Sequence, residues 1–308
     1  MDISIIVPVL NEKGNLRPLY DAIAKAVPKE YSWELFLVDD GSTDGSRDEI
    51  REICRNQSNV KAILFSKNYG HQIALTAGYD HASGRAVITM DADLQHPPEC
   101  ISEMIKLWQE GGEIVFAVRS DDEHLSYFKK ITSQWFYSIL KAISQLDLIM
   151  GAADFRLLDR KVVNYLCQYK ERDRFLRGII SDMGFCRKVF YYKENSRQHG
   201  RSKYNIGRMF KLALAGVVSF SSFPLKLCSI LGFIISTSSF IYVICIIYDK
   251  IVNGAPPGMA SALVGVFFIG GLQLIFIGVL GEYLMSVFKE VKARPLYCIS
   301  EKISTDRD

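Results

Sequence analysis

Two stretches of this 308-residue chain carry no charge at all, Leu227–Tyr248 and Met259–Gly281. Each is long enough, as an α-helix, to cross about 30 Å of hydrocarbon. A core helix rarely runs about six turns without a polar face. The pattern therefore predicts two transmembrane helices, and any soluble fold must be built from the rest. Arg201, Lys203, Arg208, Lys211 and Lys226 precede the first run, and Lys289, Lys292 and Arg294 follow the second. The loop between them, Asp249–Gly258, holds a single Lys. By the positive-inside rule both outer ends lie in the cytoplasm. Just before the first span, Asn205–Ser222 sets Ile206, Met209, Phe210, Leu212, Ala213 and Val217 around Arg208 and Lys211. That is the pattern of an amphipathic helix lying in the membrane interface, with an ordinary domain helix as the alternative.

The boundaries expected from these patterns are a domain over 1–200, a juxtamembrane segment over 201–224, a two-helix hairpin over 225–288 and a cytoplasmic tail over 289–308. The apolar run Ile3–Val9 is too short for a signal peptide and leads straight into Asn11-Glu12-Lys13, so residues 1–200 are expected to stay in the cytoplasm. Seven cysteines without a CxxC pair argue against a disulfide framework or a zinc site. A net charge of +3 is too small to imply nucleic acid, and the basic residues near the spans are expected to meet anionic lipid headgroups.

Within 1–200, strand-like runs alternate with helix-sized segments. The apolar runs are Ile3–Val9, Leu35–Asp39, Lys61–Phe65, Ala86–Met90 and Ile114–Val118. Leu16–Ala26, Ser46–Arg55, His71–Ala82 and Pro98–Glu110 read as the helices between them. Such alternation predicts an α/β fold with a mostly parallel sheet, which binds ligands outside the carboxyl ends of its strands. At those ends stand Pro8-Val9-Leu10-Asn11-Glu12, Asp39-Asp40-Gly41-Ser42, Asp91-Ala92-Asp93 and Arg119. Asp91 and Asp93, without a Cys or His partner, suit a hard cation such as Mg²⁺ or Mn²⁺ that keeps positions open for phosphate oxygens. A lone pair of acids this close is common, so it is the clustering of acids at three strand ends that points to a site. Asp40-Gly41-Ser42-Thr43-Asp44 is a turn and helix-cap sequence, and its first acid is equally placed to accept from a nucleobase or ribose. His71 reads as a surface or capping group. The apolar residues of Trp135–Leu148 recur at helical spacing and read as packing.

The segments PVLNEKGNL, VDDGSTDGS, KNYGHQIALTAGYDHASG, DADLQHPPE, ADFRLLDR and GRSKY together resemble the polyprenyl-phosphate glycosyltransferases of glycosyltransferase family 2. That group includes dolichyl-phosphate mannose synthase and the bactoprenol glucosyltransferases. The resemblance runs from residue 3 to about Pro295. It implies a GT-A nucleotide-sugar-binding fold followed by an amphipathic interface helix and two transmembrane helices, in a bacterial inner membrane. The implied reaction moves a sugar from a nucleotide donor, UDP-glucose first, to undecaprenyl phosphate, for cell-envelope glycan modification such as that of lipopolysaccharide. GlcNAc, mannose or aminoarabinose as the sugar, and a non-catalytic scaffold, are the alternatives. The resemblance implies that Pro8, Leu10, Glu12, Val38, Asp40, Ala92 and Gln95 bind the donor. Asp91 and Asp93, with Gln95 beside them, hold the metal. Arg119 approaches the sugar phosphate, Arg197 and Lys203 close over the diphosphate, and Asp154 meets sugar or acceptor. Lys129 and Ser133 are expected at the acceptor phosphate. Leu10 stands where many relatives carry an aromatic, and Arg201 stands where an acid is usual. Implied partners are membrane lipids, further copies in a homo-oligomer such as a tetramer, a separate flippase and a second glycosyltransferase downstream; nucleic acid is not among them.

Overall fold

The computed structural model of the protein describes residues 1–120, 149, 152–172, 174–193, 223–253 and 259–304. The chain divides into two compact units. One holds the described residues up to 193 together with 294–304; the other holds 223–253 and 259–293.

The first unit is organised by one sheet. Its strands are β1 (Ile3–Val9), β2 (Trp33–Asp39), β3 (Val60–Phe65), β4 (Ala86–Thr89), β5 (Ile114–Arg119), β6 (Ala152–Asp159), β7 (Arg187–Tyr192) and β8 (Ile299–Ile303), in the order β7-β5-β6-β4-β1-β2-β3-β8. β1 to β4 are parallel, as their unbroken apolar runs require of strands covered on both faces. Pro8 lies in central β1 without breaking it. The β1–β4 ladder ends at Ile6↔Thr89, so the N–H that Pro8 lacks has no ladder partner to lose.

The helices between the strands are α1 (Leu16–Ala26), α2 (Ser46–Asn56), α3 (His71–His81), α4 (Cys100–Gln109), α5 (Arg160–Leu166) and α6 (Leu176–Asp182). α1 buries Leu16, Leu19, Tyr20 and Ile23, a stripe at helical spacing that packs on Ile3, Ile5 and Val7 with the buried faces of α2 and α4. Each such side chain contributes roughly 1.5–3 kcal/mol when fully buried. α3 covers the opposite face so closely that a Cβ at Gly78 would stand 2.2 Å from Ile6 Cγ2.

β6 departs from the alternating pattern. It lies between β4 and β5 and runs antiparallel to both. The start of β6, at Asp154, therefore reaches the same edge of the sheet as the carboxyl ends of β1 to β5. Because side chains alternate along a strand, Phe155 and Leu157 join the core under α1 and α4, while Asp154 and Arg156 point to the other face.

Within the segment 289–308, expected as a tail, residues Ile299–Ile303 instead join the sheet. β8 pairs antiparallel with β3, Arg51 Nη2 meets Glu301 Oε2 at 2.8 Å, and the Tyr297 ring stacks on Phe65 at 5.1 Å. Tyr297 also donates its hydroxyl to Asp80 Oδ2 at 2.8 Å.

The second unit contains α7 (Phe223–Asn253) and α8 (Met259–Val291). Among the described residues, Phe268–Val291 is long and apolar enough to cross a membrane, whereas the apolar stretch of α7, Leu227–Tyr242, is shorter. The hydroxyls of Ser229, Thr237 and Ser238 donate to the carbonyls of Leu225, Phe233 and Ile234, which satisfies them inside an apolar helix. The expected interface helix over 205–222, the hairpin loop 254–258 and the packing segment Trp135–Leu148 lie outside the described residues.

Candidate active site

Two loops at the carboxyl ends of β1 and β2 are fastened together. Asn11, at φ 57°, donates its N–H to Ser42 Oγ at 3.0 Å and accepts from Thr43 N–H at 2.8 Å. Glu12 donates its N–H to Ser46 Oγ at 3.0 Å. Asp39 is buried and structural: it accepts from the Ser42 N–H at 3.1 Å and from Arg47 Nε at 2.8 Å. Asp40 is held by the loop after β3, accepting from the Tyr69 N–H at 2.6 Å and the Gly70 N–H at 2.9 Å. Burial raises the pKa of Asp40 despite those two amides. The loop approaches so closely that a Cβ at Gly41, φ 80°, would stand 2.6 Å from Asn68 N. Pro8, Val38 and Ala92 are buried, so any donor contact there runs through backbone rather than through an exposed side chain.

Beyond β4 the chain turns through Asp91–Pro98. Leu94 adopts φ 61°, a conformation that costs a branched residue about 1–2 kcal/mol and is concentrated at functional loops. Two hydrogen bonds hold the turn: Gln95 N–H to Asp93 Oδ1 at 3.2 Å, and Asp91 N–H to His96 Nδ1 at 3.0 Å. His96 is buried, stacked on Phe155 with ring centroids 4.8 Å apart and edge-on to Tyr192 at 6.2 Å. Since Nδ1 accepts, the imidazole is neutral and carries its proton on Nε2, which faces Asp91 Oδ2 at 3.7 Å. Asp93 is buried, while the Asp91 side chain remains 39% exposed.

Asp154 brings a second cluster to the same edge. It accepts from buried Arg156 Nη2, from Arg177 Nε at 3.2 Å and Nη2 at 3.1 Å, and from Gln72 Nε2 at 3.3 Å. His71 Nε2 lies 3.4 Å from Asp154 Oδ2 and 3.8 Å from Asp91 Oδ1. His71 is thus no mere cap: its ring bridges the two carboxylates. Burial works against charge on both His71 and Asp154. For Asp154 this is overcome by Arg156, His71 and Arg177, which hold its pKa well below the usual carboxylate range. For His71 it is overcome by the Asp154 hydrogen bond and the Asp91 charge, which raise its pKa. An acid so strongly held in its ionised form is a poor general base.

The structure therefore brings together Glu12, Asp40, Asp91, Asp93, Gln95 and Asp154 at one sheet edge, with Arg119 exposed at the end of β5 and Leu10 half-buried at the end of β1. His71, His96, Arg156 and Arg177 complete the site without any signal in the sequence reading except the position of His71 after a strand. Lys129, Ser133, Arg197 and Lys203 lie outside the described residues.

Among the described residues no three Cys, His, Asp or Glu side chains form a ready metal cage. The donor set still fits a divalent cation of one kind. Mg²⁺ or Mn²⁺ is commonly held by one or two carboxylates and completed by substrate phosphates and water, and Asp91 and Asp93 supply that minimum.

Residues 4–167 match the family Glycosyl transferase family 2. The bactoprenol glucosyl transferase of Shigella phage SfII is 40% identical over 98% of this chain and 98% of its own length. An uncharacterized glycosyltransferase of Synechocystis, sll0501, is 39% identical over 98% of this chain and 95% of its own. Among solved structures, glucosyl-3-phosphoglycerate synthase from Mycobacterium tuberculosis, in complex with Mn²⁺, UDP and glucosyl-3-phosphoglycerate, has a TM-score of 0.48 at 19% identity, covering 71% of this chain and 80% of that one.

Proposed function

The chain belongs to glycosyl transferase family 2, and on that premise we propose that it transfers glucose from UDP-glucose to undecaprenyl phosphate, with inversion at the anomeric carbon. The observation that carries this reading is 40% identity with a bactoprenol glucosyl transferase over 98% of both chains, a span that takes in the two long helices as well as the α/β unit. A polyprenyl-phosphate acceptor requires a membrane-seated enzyme, and those helices suit one.

The chemistry fits the site. A phosphate oxygen of the acceptor attacks the anomeric carbon as the bond from that carbon to the UDP oxygen breaks, and UDP leaves on the opposite face. A phosphate monoester is already largely ionised at neutral pH, its second ionisation lying near pH ~6, so no strong base is needed. This agrees with an Asp154 held ionised by guanidiniums and with an edge lined by binding groups. Mg²⁺ or Mn²⁺ on Asp91 and Asp93 would neutralise charge developing on the diphosphate. His96 fixes the Asp91 backbone, and Asp40 fixes the loop that borders the nucleotide pocket. Arg119 meets the sugar phosphate, and Glu12, Gln95 and the backbone at Pro8, Leu10, Val38 and Ala92 complete donor binding. Arg197 and Lys203 over the diphosphate, and Lys129 and Ser133 at the acceptor phosphate, keep the roles that the family resemblance implies.

Chain connectivity supports a hairpin with both ends in the cytoplasm. β7, which precedes α7 in the chain, and β8, which follows α8, belong to one sheet, so the chain between them crosses a membrane an even number of times. If Phe268–Val291 crosses, another segment must return, and α7 is the helix available among the described residues. The catalytic unit then faces the inner leaflet and the cytoplasmic pool of nucleotide sugars. Moving the lipid-linked glucose outward falls to a separate flippase, and its onward transfer to a second glycosyltransferase.

Membranes containing the protein, given radiolabelled UDP-glucose and undecaprenyl phosphate, should form an organic-soluble labelled product. UDP-GlcNAc offered in parallel should give far less. No lipid-linked product from any donor would leave only the scaffold alternative. A single cysteine at residue 253, on a background lacking native thiols, should react with an impermeant maleimide outside intact cells. One at Thr305 should react only after the membrane is opened.

A further inference from the structure

β8 runs antiparallel to β3, and their ladder closes at Phe65↔Ile299. The residues just before Ile299 therefore pass the carboxyl end of β3 and run beside the loop 66–70 that follows it. Cys298 accepts from the Ser66 N–H at 3.0 Å, which ties down the first residue of that loop. The Tyr297 ring stacks on Phe65, the last residue of β3, with centroids 5.1 Å apart and planes 23° apart. Its hydroxyl donates to Asp80 Oδ2, in the last turn of α3, at 2.8 Å. Burial and the Asp80 carboxylate push the pKa of Tyr297 up, so the hydroxyl remains a donor. One side chain thus braces β3 and α3, the two elements that the loop 66–70 joins.

Phe65 carries the brace forward. It is fully buried, and its ring also meets Tyr69 edge-on, at 5.5 Å and 83°. Tyr69 and Gly70 supply the amides that hold Asp40, at 2.6 Å and 2.9 Å. From Tyr297 the contacts therefore pass through Phe65 and Tyr69 to Asp40. Pairing of β8 does not need the ring, since the ladder from Ala62 to Phe65 is made by backbone and Tyr297 lies outside the strand. What the ring adds, it adds at the loop. Packing this close passes a displacement on to its neighbours instead of absorbing it.

We infer that Tyr297 is a positioning residue for donor binding, setting the loop 66–70 against Asp40. The inference rests on the function proposed above, in which that loop borders the pocket for UDP. Tyr297 acts through Phe65 and Tyr69 and needs no contact of its own with substrate. Its effect should fall on the nucleotide and spare the acceptor.

The test uses the full-length protein in detergent with Mg²⁺, comparing wild type, Tyr297→Ala, Tyr297→Leu and Tyr297→Phe. UDP binding is titrated by calorimetry, and kcat and the KM for undecaprenyl phosphate are measured at saturating UDP-glucose. An aromatic pair of this kind is worth a factor of roughly two to ten in an equilibrium. Tyr297→Ala should therefore weaken UDP binding about fivefold, with acceptor KM and kcat within about twofold of wild type. Tyr297→Phe keeps the ring and should return UDP affinity to within about twofold. If the alanine variant fails to fold, the leucine variant is read in its place, because it fills space over Phe65 without an aromatic face. UDP affinity within about twofold of wild type in that variant, with Tm alone lowered, would make Tyr297 a staple of the fold and overturn the inference. An equal rise in acceptor KM, or a phenylalanine variant as weak as the alanine one, would overturn it as well. A wild type that transfers no sugar would instead refute the function on which the inference rests, whereas the UDP titration, which needs no turnover, still decides the role of Tyr297.

Discussion

Replacing His96 separates two things that one ring does. Its imidazole stacks on Phe155 at 4.8 Å with planes 10° apart, and its Nδ1 accepts the Asp91 N–H at 3.0 Å. His96→Phe keeps a ring against Phe155 and Tyr192 but leaves the Asp91 amide without its acceptor. A donor orphaned in that way costs about 1–3 kcal/mol. In a unit of this size that corresponds to a fall in Tm of roughly 2–4 °C for each kcal/mol. His96→Asn makes the complementary change, since a side-chain carbonyl can still accept while the stack, worth about 0.5–1.5 kcal/mol, is lost with some packing. If the bond to Asp91 is what matters for function, the phenylalanine variant should lose about 10–100-fold in kcat, the usual effect of removing a group that orients a metal ligand. The asparagine variant should be the less stable of the two relative to its remaining activity. Thermal unfolding monitored by circular dichroism, together with turnover at saturating UDP-glucose and undecaprenyl phosphate, measures both effects. A phenylalanine variant turning over within about twofold of wild type would show that His96 is core packing and that the Asp91 turn holds itself.

Asp93→Ala should lower turnover at least ~10²-fold, and EDTA should abolish wild-type activity until Mg²⁺ or Mn²⁺ is restored; full activity in EDTA would remove the metal from the mechanism. Gly78→Ala places a methyl group against Ile6 and should destabilise the sheet unit by about 1–3 kcal/mol, read as a lower denaturant midpoint. The pKa of Asp154 is depressed below its ordinary 3.8, so its contribution to stability is fully present above that value and is lost only as pH falls through the lower, folded-state pKa. A wild-type unfolding profile should accordingly show no step from Asp154 between pH 5 and 8 (about the usual range of maximal stability), whereas Asp154→Asn should lower the curve and weaken the His71 contribution, which is present below the ordinary 6.5 and lost as pH rises through the raised pKa of His71. Deleting residues 296–308 removes Tyr297 and β8, exposes the β3 edge and should lower Tm; an unchanged Tm would show that the strand adds nothing to the sheet.

The α/β architecture was readable because both faces of β1, β2, β3 and β4 are covered, which forces continuous apolar runs, and because α1, α2 and α4 need a stripe at helical spacing. Strand ends follow from those runs, so Asp40, Asp91 and Asp93 could be placed at one edge before any coordinates. Other features were illegible for identifiable reasons. β8 is a five-residue strand with two charged members, Glu301 and Lys302, and its partner β3 lies more than 200 residues away, so no local pattern announces the pairing. His96 follows a pair of ordinary turn acids and precedes two prolines, a context in which a histidine reads as loop; its burial comes from Phe155 and Tyr192, which β6 and β7 bring from far along the chain.

The sequence by itself determined which residues had to leave water and which carboxylates had to stand at strand ends, since burial and strand period are local properties of composition and spacing. The tertiary structure decided which charges meet. By running antiparallel between β4 and β5, β6 presents its first residues rather than its last at the edge that carries the candidate site, and so brings Asp154 to His71 and Arg177. Strand direction within a sheet is set by the path of the connections, and no window of sequence around Asp154 contains that path.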